Sequence, residues 1–205
     1  TAVAPAAWNE LIQREDVVVL DTRNDYEVEV GSFTGALNPH TTDFRQFPDF
    51  VKSQLNASLD TPIAMFCTGG IRCEKASAYL LKQGYRHVYQ LEGGILNYLN
   101  TVPQQDSRWQ GDCFVFDDRV AVDHKLKRAD YSQCHGCRRP LSAADRESPH
   151  YVEGITCGLC YDKLTDAQRA AFSERKRQVE LAEQQQVAHI GARMPSAKRR
   201  EQDAG

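Results

Sequence analysis

Two short apolar runs constrain the fold of this chain more than any other feature. They are VVVL at residues 17–20 and PIAMF at residues 62–66, and neither contains a charged side chain. Runs without polar alternation are typical of strands that are buried on both faces of a parallel sheet. Segments with helical spacing alternate with such runs along the first hundred residues. The sequence therefore predicts an α/β fold with a mainly parallel sheet flanked by helices.

The boundaries of the predicted elements follow from apolar spacing and from Gly and Pro positions. Strands are expected at 17–20, 36–38, 62–66 and 87–91, helices at 43–55, 74–83 and 95–102, and a hairpin at 114–122. Farther along, Thr165 and Gln168 form a capping-box pattern, which predicts a helix that runs to about Gln186.

Composition divides the chain into four predicted segments. They are an α/β domain at 1–107, a connecting hairpin at 108–130, a four-cysteine module with a helix at 131–188, and a flexible basic tail at 189–205. The net charge of −3 conceals an asymmetry, since the first 118 residues have 9 Lys and Arg against 16 Asp and Glu. The remainder is basic, which indicates either a partner-binding half or solvated faces that merely differ.

The chain has none of the usual signals for export or membrane insertion. No run of 18 apolar residues is present, and the first twenty residues lack the pattern of a secretory signal. Seven cysteines are an odd number that suits metal binding or catalysis in a reducing compartment. We therefore expect a cytoplasmic protein without membrane contact. The absence of an initiator Met predicts a fragment or a processed chain.

The segment FCTGGIRCEK, from Phe66 to Lys75, places a cysteine where a strand ends and a helix is about to begin. Ligands of parallel α/β sheets bind at this position. The loop residues expected to form an anion cradle with their backbone N–H groups are Thr68, Gly69, Gly70, Ile71 and Arg72. Glycines permit such a curl, and the following helix adds its positive dipole end. The nearest anion is the thiolate of Cys67, whose pKa should fall, which predicts a nucleophile.

Three further residues are interpreted from their positions. Cys73 stands in the first turn of the helix and is either a second activated thiol, with a pKa lowered by the helix dipole, or a small core residue. An ion pair between Asp21 and Arg23 is expected to support the scaffold rather than to act in catalysis. Cys113, alone on a predicted strand, is expected in the core.

The second half contains two CxxC pairs, Cys134 with Cys137 and Cys157 with Cys160. Four thiolates in two tight turns are typical of a tetrahedral structural zinc site, although redox dithiols are an alternative. His135 and His150 are possible zinc ligands in place of one of the cysteines. So short a segment cannot form a large core, and metal binding would therefore supply folding energy.

The motif CTGGIR resembles the Cys-x-x-Gly-x-Arg loop of rhodanese-type sulfurtransferases, and LDTRNDYE, GALNP and LEGGILNYL resemble other signatures of that fold. The resemblance implies that Cys67 carries a persulfide and that Arg72 contributes to the anion cradle. Ser32 departs from the family, which often has His at this position. Phosphatases of this fold use a Cys-x5-Arg loop, and the shorter spacing here disfavours them.

The combination of CTGGIRCEK, GDCFVFDDRVAV and the paired CxxC motifs resembles bacterial rhodanese-like tRNA hydroxylases. This resemblance implies oxygen-dependent formation of 5-hydroxyuridine at the wobble position, with tRNA as partner, molecular oxygen as co-substrate, and a further N-terminal domain outside this chain. It also implies catalysis by Cys67 and Arg72. If Cys73 is the second activated thiol, it is the candidate to resolve the oxidised or covalent species on Cys67. Arg138 and Arg139 are candidate phosphate contacts within the basic half.

No motif for an organic cofactor is evident. Two alternatives remain, namely a plain sulfurtransferase and a zinc-dependent binding module with a rhodanese scaffold.

Overall fold

The structure is a computed structural model that describes residues 1–184. Contacts divide these residues into two compact units. The first comprises residues 1–133 and 138–144, and the second comprises residues 134–137 together with the described residues from 145 onward. Residues 138–144 thus return the chain to the first unit after the first CxxC pair.

Strands and helices alternate through the first unit, and the longest helix belongs to the second. The strands are β1 (Ala2–Val3), β2 (Val18–Asp21), β3 (Gly31–Phe33), β4 (Ile63–Phe66), β5 (Val88–Leu91), β6 (Trp109–Gly111), β7 (Cys113–Phe114), β8 (Ala121–Val122), β9 (Ser132–Gln133) and β10 (Pro140–Leu141). The helices are α1 (Pro5–Ile12), α2 (Asp25–Val28), α3 (Phe47–Ser53), α4 (Ile71–Lys82), α5 (Gly94–Thr101), α6 (Ala143–Arg146) and α7 (Asp166–Gln184).

The central sheet has four parallel strands in the order β1-β5-β4-β2. This arrangement confirms the predicted α/β class. Strand β4 lies in the interior of the sheet, and each of its four side chains is fully buried. Successive side chains of a strand point to opposite faces. Ala64 and Phe66 accordingly pack into one hydrophobic cluster, and Ile63 and Met65 pack into the other.

The two clusters differ in composition. The first is aromatic, with the ring of Phe33 in edge-to-face contact with Phe66, Tyr98 and Trp109 at centroid distances of 4.8, 4.7 and 5.1 Å. Such contacts add directional attraction to the burial of apolar surface. The second cluster packs α3 and α4 against the sheet. Both faces of the sheet are therefore covered, as its apolar strands require.

Two predicted elements differ in the structure. The strand expected at 36–38 is reduced to one parallel bridge between Leu20 and Leu37, whereas β3 lies earlier and pairs antiparallel with β6. The helix expected at 43–55 is a 3₁₀ turn at Phe44–Gln46 followed by α3. Pro48 stands in the first turn of α3, where a backbone N–H has no acceptor within the helix. The missing N–H of proline therefore costs no helical hydrogen bond there.

The first unit continues beyond residue 107, the end predicted for the α/β domain. Strand β6 pairs with β3 in a register that joins Phe33 to Trp109, and Trp109 is buried in the aromatic cluster. The hairpin of β7 and β8, predicted at 114–122, also belongs to this unit. Apolar side chains after residue 107 therefore complete the core of the α/β unit.

The second unit contains α7, whose start confirms the predicted capping box. The backbone N–H of Gln168 donates to the Thr165 hydroxyl, and the Gln168 amide oxygen accepts from the Thr165 N–H. The predicted helix end near Gln186 and the predicted tail at 189–205 lie outside the described residues. Among residues 1–184, no helix combines the length and apolar character needed to cross a membrane.

Candidate active site and metal centre

The candidate active site is the loop between β4 and α4. Strand β4 ends at Phe66 and α4 begins at Ile71, so Cys67 is the first residue after the strand. Gly70 caps the helix with φ = 92°, in the left-handed region where a side chain would be strained. The sequence prediction of a glycine-permitted curl at the start of a helix is confirmed at this position.

A second pair of glycines, Gly93 and Gly94, stands at the start of α5, and Gly94 lies against the backbone of the loop. The backbone N–H groups of Ile95 and Leu96 donate to the carbonyls of Cys67 and Thr68 at 3.0 and 3.2 Å. A Cβ on Gly94 would lie 2.5 Å from the Cys67 carbonyl oxygen, a distance that real side chains do not reach. No expectation from the sequence placed Gly93 and Gly94 beside Cys67. Two glycines next to each other after a strand were the available signal of close backbone approach.

The Cys67 thiol lies where hydrogen-bond donors converge. The Gly70 N–H donates to Cys67 Sγ at 3.1 Å, and the residue is 2% exposed. A hydrogen bond from the Cys73 thiol is the largest cause that lowers the pKa of Cys67, and the Cys73 backbone N–H and the Arg72 charge act in the same direction. Burial opposes them, yet the pKa falls to about 6. Cys67 is therefore mainly a thiolate at neutral pH, which makes it a nucleophile.

Cys73 has the opposite character. Its side chain is completely buried, and its Sγ lies 3.6 Å from the Thr22 hydroxyl. The hydrogen bond to Cys67 raises the pKa of Cys73 well above its usual value, and burial raises it further. Of the two readings of Cys73, the raised pKa disagrees with the activated thiol and the burial agrees with the core residue, because two adjacent buried sulfurs do not both ionise. Cys73 stays protonated and stabilises the Cys67 thiolate.

The Arg72 guanidinium is held by a carboxylate that sequence analysis did not identify. Its Nη1 and Nη2 donate to the two carboxylate oxygens of Glu27 at 2.6 and 2.7 Å. Glu27 is fully buried, whereas the Arg72 side chain is 18% exposed. Burial lowers the pKa of Arg72, but the hydrogen bonds and charge of Glu27 outweigh it and raise that pKa. The capping-box spacing of Asn24 and Glu27 was the only local signal.

The expected scaffold ion pair is present. Arg23 and Asp21 are both completely buried, and Arg23 Nη2 lies 2.6 Å from Asp21 Oδ2. Arg23 also donates to the carbonyls of Glu27 and Gly31. Ser32, the position that departs from the rhodanese pattern, donates its hydroxyl to Asp21 at 2.8 Å. The pair thus joins the end of β2 to α2 and β3.

Cys113 is completely buried, which confirms the core placement predicted from the sequence.

The second unit brings its four cysteines together. Their sulfur atoms all lie within 4.8 Å of one another, and they belong to Cys134, Cys137, Cys157 and Cys160. The separations are 3.7 Å for Cys134 to Cys160, 3.7 Å for Cys137 to Cys157 and 3.8 Å for Cys157 to Cys160. A tetrahedral zinc with Zn–S bonds of about 2.3 Å has S···S edges of about 3.8 Å. The four thiols therefore fit a zinc ion.

The surroundings of the cysteines support this fit. A Cβ on Gly136 would lie 2.7 Å from the Ile155 carbonyl, so the first turn is too tight for a side chain. Within the described part of the chain, the cluster consists of the four cysteines alone. His150, a possible substitute ligand from the sequence, instead stacks on Tyr161 with ring centroids 4.2 Å apart.

The two arginines predicted to contact phosphate have different environments. Arg138 is exposed and adopts φ = 65° immediately after the first CxxC pair. Arg139 donates to both carboxylate oxygens of Glu29 at 3.0 and 2.9 Å. Both arginines belong to the same unit as Cys67. Their contact with a substrate stays a prediction.

Residues 4–101 match the family model of the rhodanese-like domain. A rhodanese-like domain from Anabaena sp. is 17% identical, with a TM-score of 0.44, over 54% of this chain and 78% of that one. A rhodanese-related protein from Thermoplasma volcanium is 23% identical, with a TM-score of 0.40, over 50% and 94%. A thiosulfate sulfurtransferase from Pseudomonas aeruginosa is 22% identical, with a TM-score of 0.41, over 49% and 18%.

Proposed function

From the match of residues 4–101 to the rhodanese-like domain model, we propose that the protein is an enzyme that hydroxylates the wobble uridine of tRNA at C5. Molecular oxygen is its co-substrate, and Cys67 is its nucleophile. The observation that carries the proposal is the Cys67 thiolate, held by backbone N–H groups and by the Cys73 thiol. Its pKa of about 6 supplies the ionised form at physiological pH without a separate base.

The chemistry begins with addition of the Cys67 thiolate to C6 of the uracil ring. An S–C6 bond forms, and the C5=C6 electron pair moves to C5 and O4 as an enolate. C5 then bonds to one atom of molecular oxygen, and a two-electron reductant of the thiol class, itself oxidised to a disulfide, cleaves the O–O bond. The other oxygen atom leaves as water with protons from solvent. Loss of the C5 proton and departure of the thiolate restore the ring double bond.

The dimensions of the loop favour this chemistry over phosphate transfer. Only four residues separate Cys67 from Arg72. The guanidinium is already paired with Glu27, so it acts on Cys67 through its charge and through the backbone that it anchors. A tetrahedral phosphate needs several free donors around it. The loop therefore suits the edge of a planar ring or a single sulfur atom.

The four-cysteine cluster contributes to folding in this proposal. If zinc is bound, Cys134, Cys137, Cys157 and Cys160 hold it, and its binding free energy stabilises the second unit. Such a site is closed by four protein ligands, which leaves no position for substrate. The metal is thus assigned a structural role and no step of the reaction.

The substrate part of the proposal rests on the resemblance to tRNA hydroxylases and on the basic character of the second half. Arg138 is exposed and is the strongest candidate phosphate contact of the residues named from the sequence. Phosphate contacts of this kind position a nucleic acid without reading its sequence. Recognition of the uridine itself must come from groups around Cys67.

A plain sulfurtransferase is the second candidate, and the same thiolate favours it. Cys67 would attack the outer sulfur of thiosulfate, the S–S bond would break, and sulfite would leave with the electron pair. The resulting persulfide would pass its terminal sulfur to an acceptor thiolate. The two candidates differ in whether the product is a modified nucleoside or a transferred sulfur atom.

The test is nucleoside mass spectrometry of tRNA from cells that lack the protein and from cells that re-express it. Re-expression of the wild type should restore 5-hydroxyuridine, and growth under oxygen-18 gas should add two mass units to that nucleoside. Cys67→Ser should restore none, while its melting temperature and tRNA affinity stay near wild-type values. Full modification by Cys67→Ser would refute the catalytic assignment. Rapid thiosulfate turnover without any 5-hydroxyuridine would establish the sulfurtransferase instead.

A further inference from the structure

A large aromatic side chain stands exposed beside the candidate active site. Phe116 is 69% exposed, and the Arg72 guanidinium carbon lies over its ring at 5.8 Å from the centroid. Arg72 is the second residue of α4, which follows the loop that holds Cys67, and its backbone N–H contributes to the lowered pKa of that thiol. Phe116 therefore borders the reactive loop, although it follows Cys67 by 49 residues.

Phe116 lies in the connection between β7 and β8, two residues after the end of β7. Phe114 is buried, and its ring meets Phe116 edge to face at 5.0 Å and Tyr26 at 5.3 Å. Beyond Phe116 the turn is closed by Arg119, which donates to both carboxylate oxygens of Asp117. The exposed ring is thus carried on an ordered support. It is not the side chain of an unsupported loop.

The chemistry of this border fits a nucleobase. A second apolar side chain, that of Ile71, is 71% exposed at the first residue of α4. Ile71 precedes Arg72 in the chain and Phe116 contacts Arg72, so both exposed apolar side chains adjoin this arginine. Unstacked bases of single-stranded RNA commonly stack on aromatic rings and on Arg planes. An extended protein partner would need a larger apolar area than two separate side chains.

We propose that Phe116 is the stacking platform for the pyrimidine base that reacts with Cys67. This inference rests on the proposed function, because it names the residue that positions the uracil of that reaction. The base leaves its RNA stack, lies on the Phe116 ring and presents its C5–C6 edge to the loop. The energy lost on unstacking is offset by the new contact with the ring. Phe116 is a positioning residue, since the bond to the substrate forms at Cys67.

The experiment is a double-mutant cycle between protein and RNA. One component is the full chain, as wild type and as Phe116→Ala, Phe116→Leu and Phe116→Trp. The other is an anticodon stem-loop RNA with either uridine or an abasic site at the wobble position. Wild type should bind the uridine RNA about ten-fold more tightly than the abasic RNA, since one stacked base contributes this order of affinity. Phe116→Ala and Phe116→Leu should lose that difference, and Phe116→Trp should keep it.

The matched control is Leu81→Ala, which removes another exposed apolar side chain of the same unit and should keep the full difference. Equal affinity of wild type for both RNAs, or an undiminished difference in Phe116→Ala, would overturn the stacking assignment. So would loss of the difference in Phe116→Trp. Formation of 5-hydroxyuridine by wild type, measured in parallel, reports on the proposed function separately. Product without base-dependent binding would refute the platform alone.

Discussion

Arg72 and Glu27 are 45 residues apart, yet two hydrogen bonds of 2.6 and 2.7 Å join the guanidinium to the carboxylate. The contact ties the loop that carries Cys67 to α2, which follows a different strand of the sheet. Glu27 is fully buried, so its charge depends on this partner for compensation. The active-site loop and the core of the first unit are therefore coupled through one ion pair.

Replacing Glu27 with Gln should destabilise the protein by about 3 kcal/mol, because removal of one partner leaves the other charge largely buried and uncompensated. Urea unfolding of the full chain measures this loss. Asp60→Asn is the matched control, since the Asp60–Arg86 pair is about two-thirds exposed on both sides. Such a surface pair contributes less than about 1 kcal/mol. Losses of equal size in the two variants would show that the buried pair does not stabilise the loop.

The ionisation of Cys67 should be half complete near pH 6. The folded pKa is below the ordinary value, so the thiolate fraction rises as the pH passes through 6 and is almost complete at neutral pH. An ordinary cysteine ionises near pH 8.5. Thiolate absorbance in the ultraviolet, with Cys67→Ser as the blank, measures this titration. A midpoint near pH 8.5 would contradict the assignment of Cys67 as a preformed nucleophile.

Cys73 gives a paired test of the same site. Cys73→Ala removes the largest cause of the lowered pKa, so the Cys67 titration should move upward. Cys73→Ser retains a hydrogen-bond donor and should move it less. Turnover of Cys73→Ser should fall by a smaller factor than turnover of Cys67→Ser. An unchanged titration in Cys73→Ala would return this residue to a packing role alone.

Purified protein should contain about one zinc per chain when it is prepared without added metal. Cys160→Ser should lose the metal, because it removes one of four ligands whose sulfurs already have tetrahedral spacing. Cys67→Ser is the control and should retain it. Less than roughly 0.2 equivalents of zinc, with reduced thiols and a folded second unit, would remove the metal from this account.

The affinity for tRNA should fall steeply with salt, because phosphate contacts release bound counterions. From the sequence alone, Arg138 and Arg139 together predict a contribution of about two units to the log-log slope. Since Glu29 already engages Arg139, Arg138→Gln should flatten the slope by about one unit and Arg139→Gln by less. Glu29→Gln should steepen it by freeing Arg139. Arg86→Gln, which alters an exposed pair elsewhere in the same unit, is the control.

An identical slope in Arg138→Gln and wild type would place the RNA phosphates on other residues. Filter binding of labelled tRNA over a range of salt concentrations measures all four variants. A slope near zero for wild type would contradict electrostatic binding of tRNA altogether.

The sequence by itself determined those features that depend on neighbouring residues. The apolar runs predicted the parallel sheet, because a strand buried on both faces has no room for polar alternation. The Cys67 loop and the capping box of Thr165 and Gln168 were predicted for a similar reason, since glycine conformations and cap hydrogen bonds span only a few residues. The paired CxxC motifs also predicted their own convergence, because four such ligands have a common geometric solution.

Only the tertiary structure decided which distant groups meet at the loop. The pairing of Arg72 with Glu27, the contact of Gly94 with Cys67 and the position of Phe116 beside Arg72 all depend on how strands are ordered in space. The raised pKa of Cys73 has the same origin, since it is caused by the hydrogen bond to Cys67 and by burial. Electrostatic and packing energies depend on through-space distance, and sequence separation does not measure that distance.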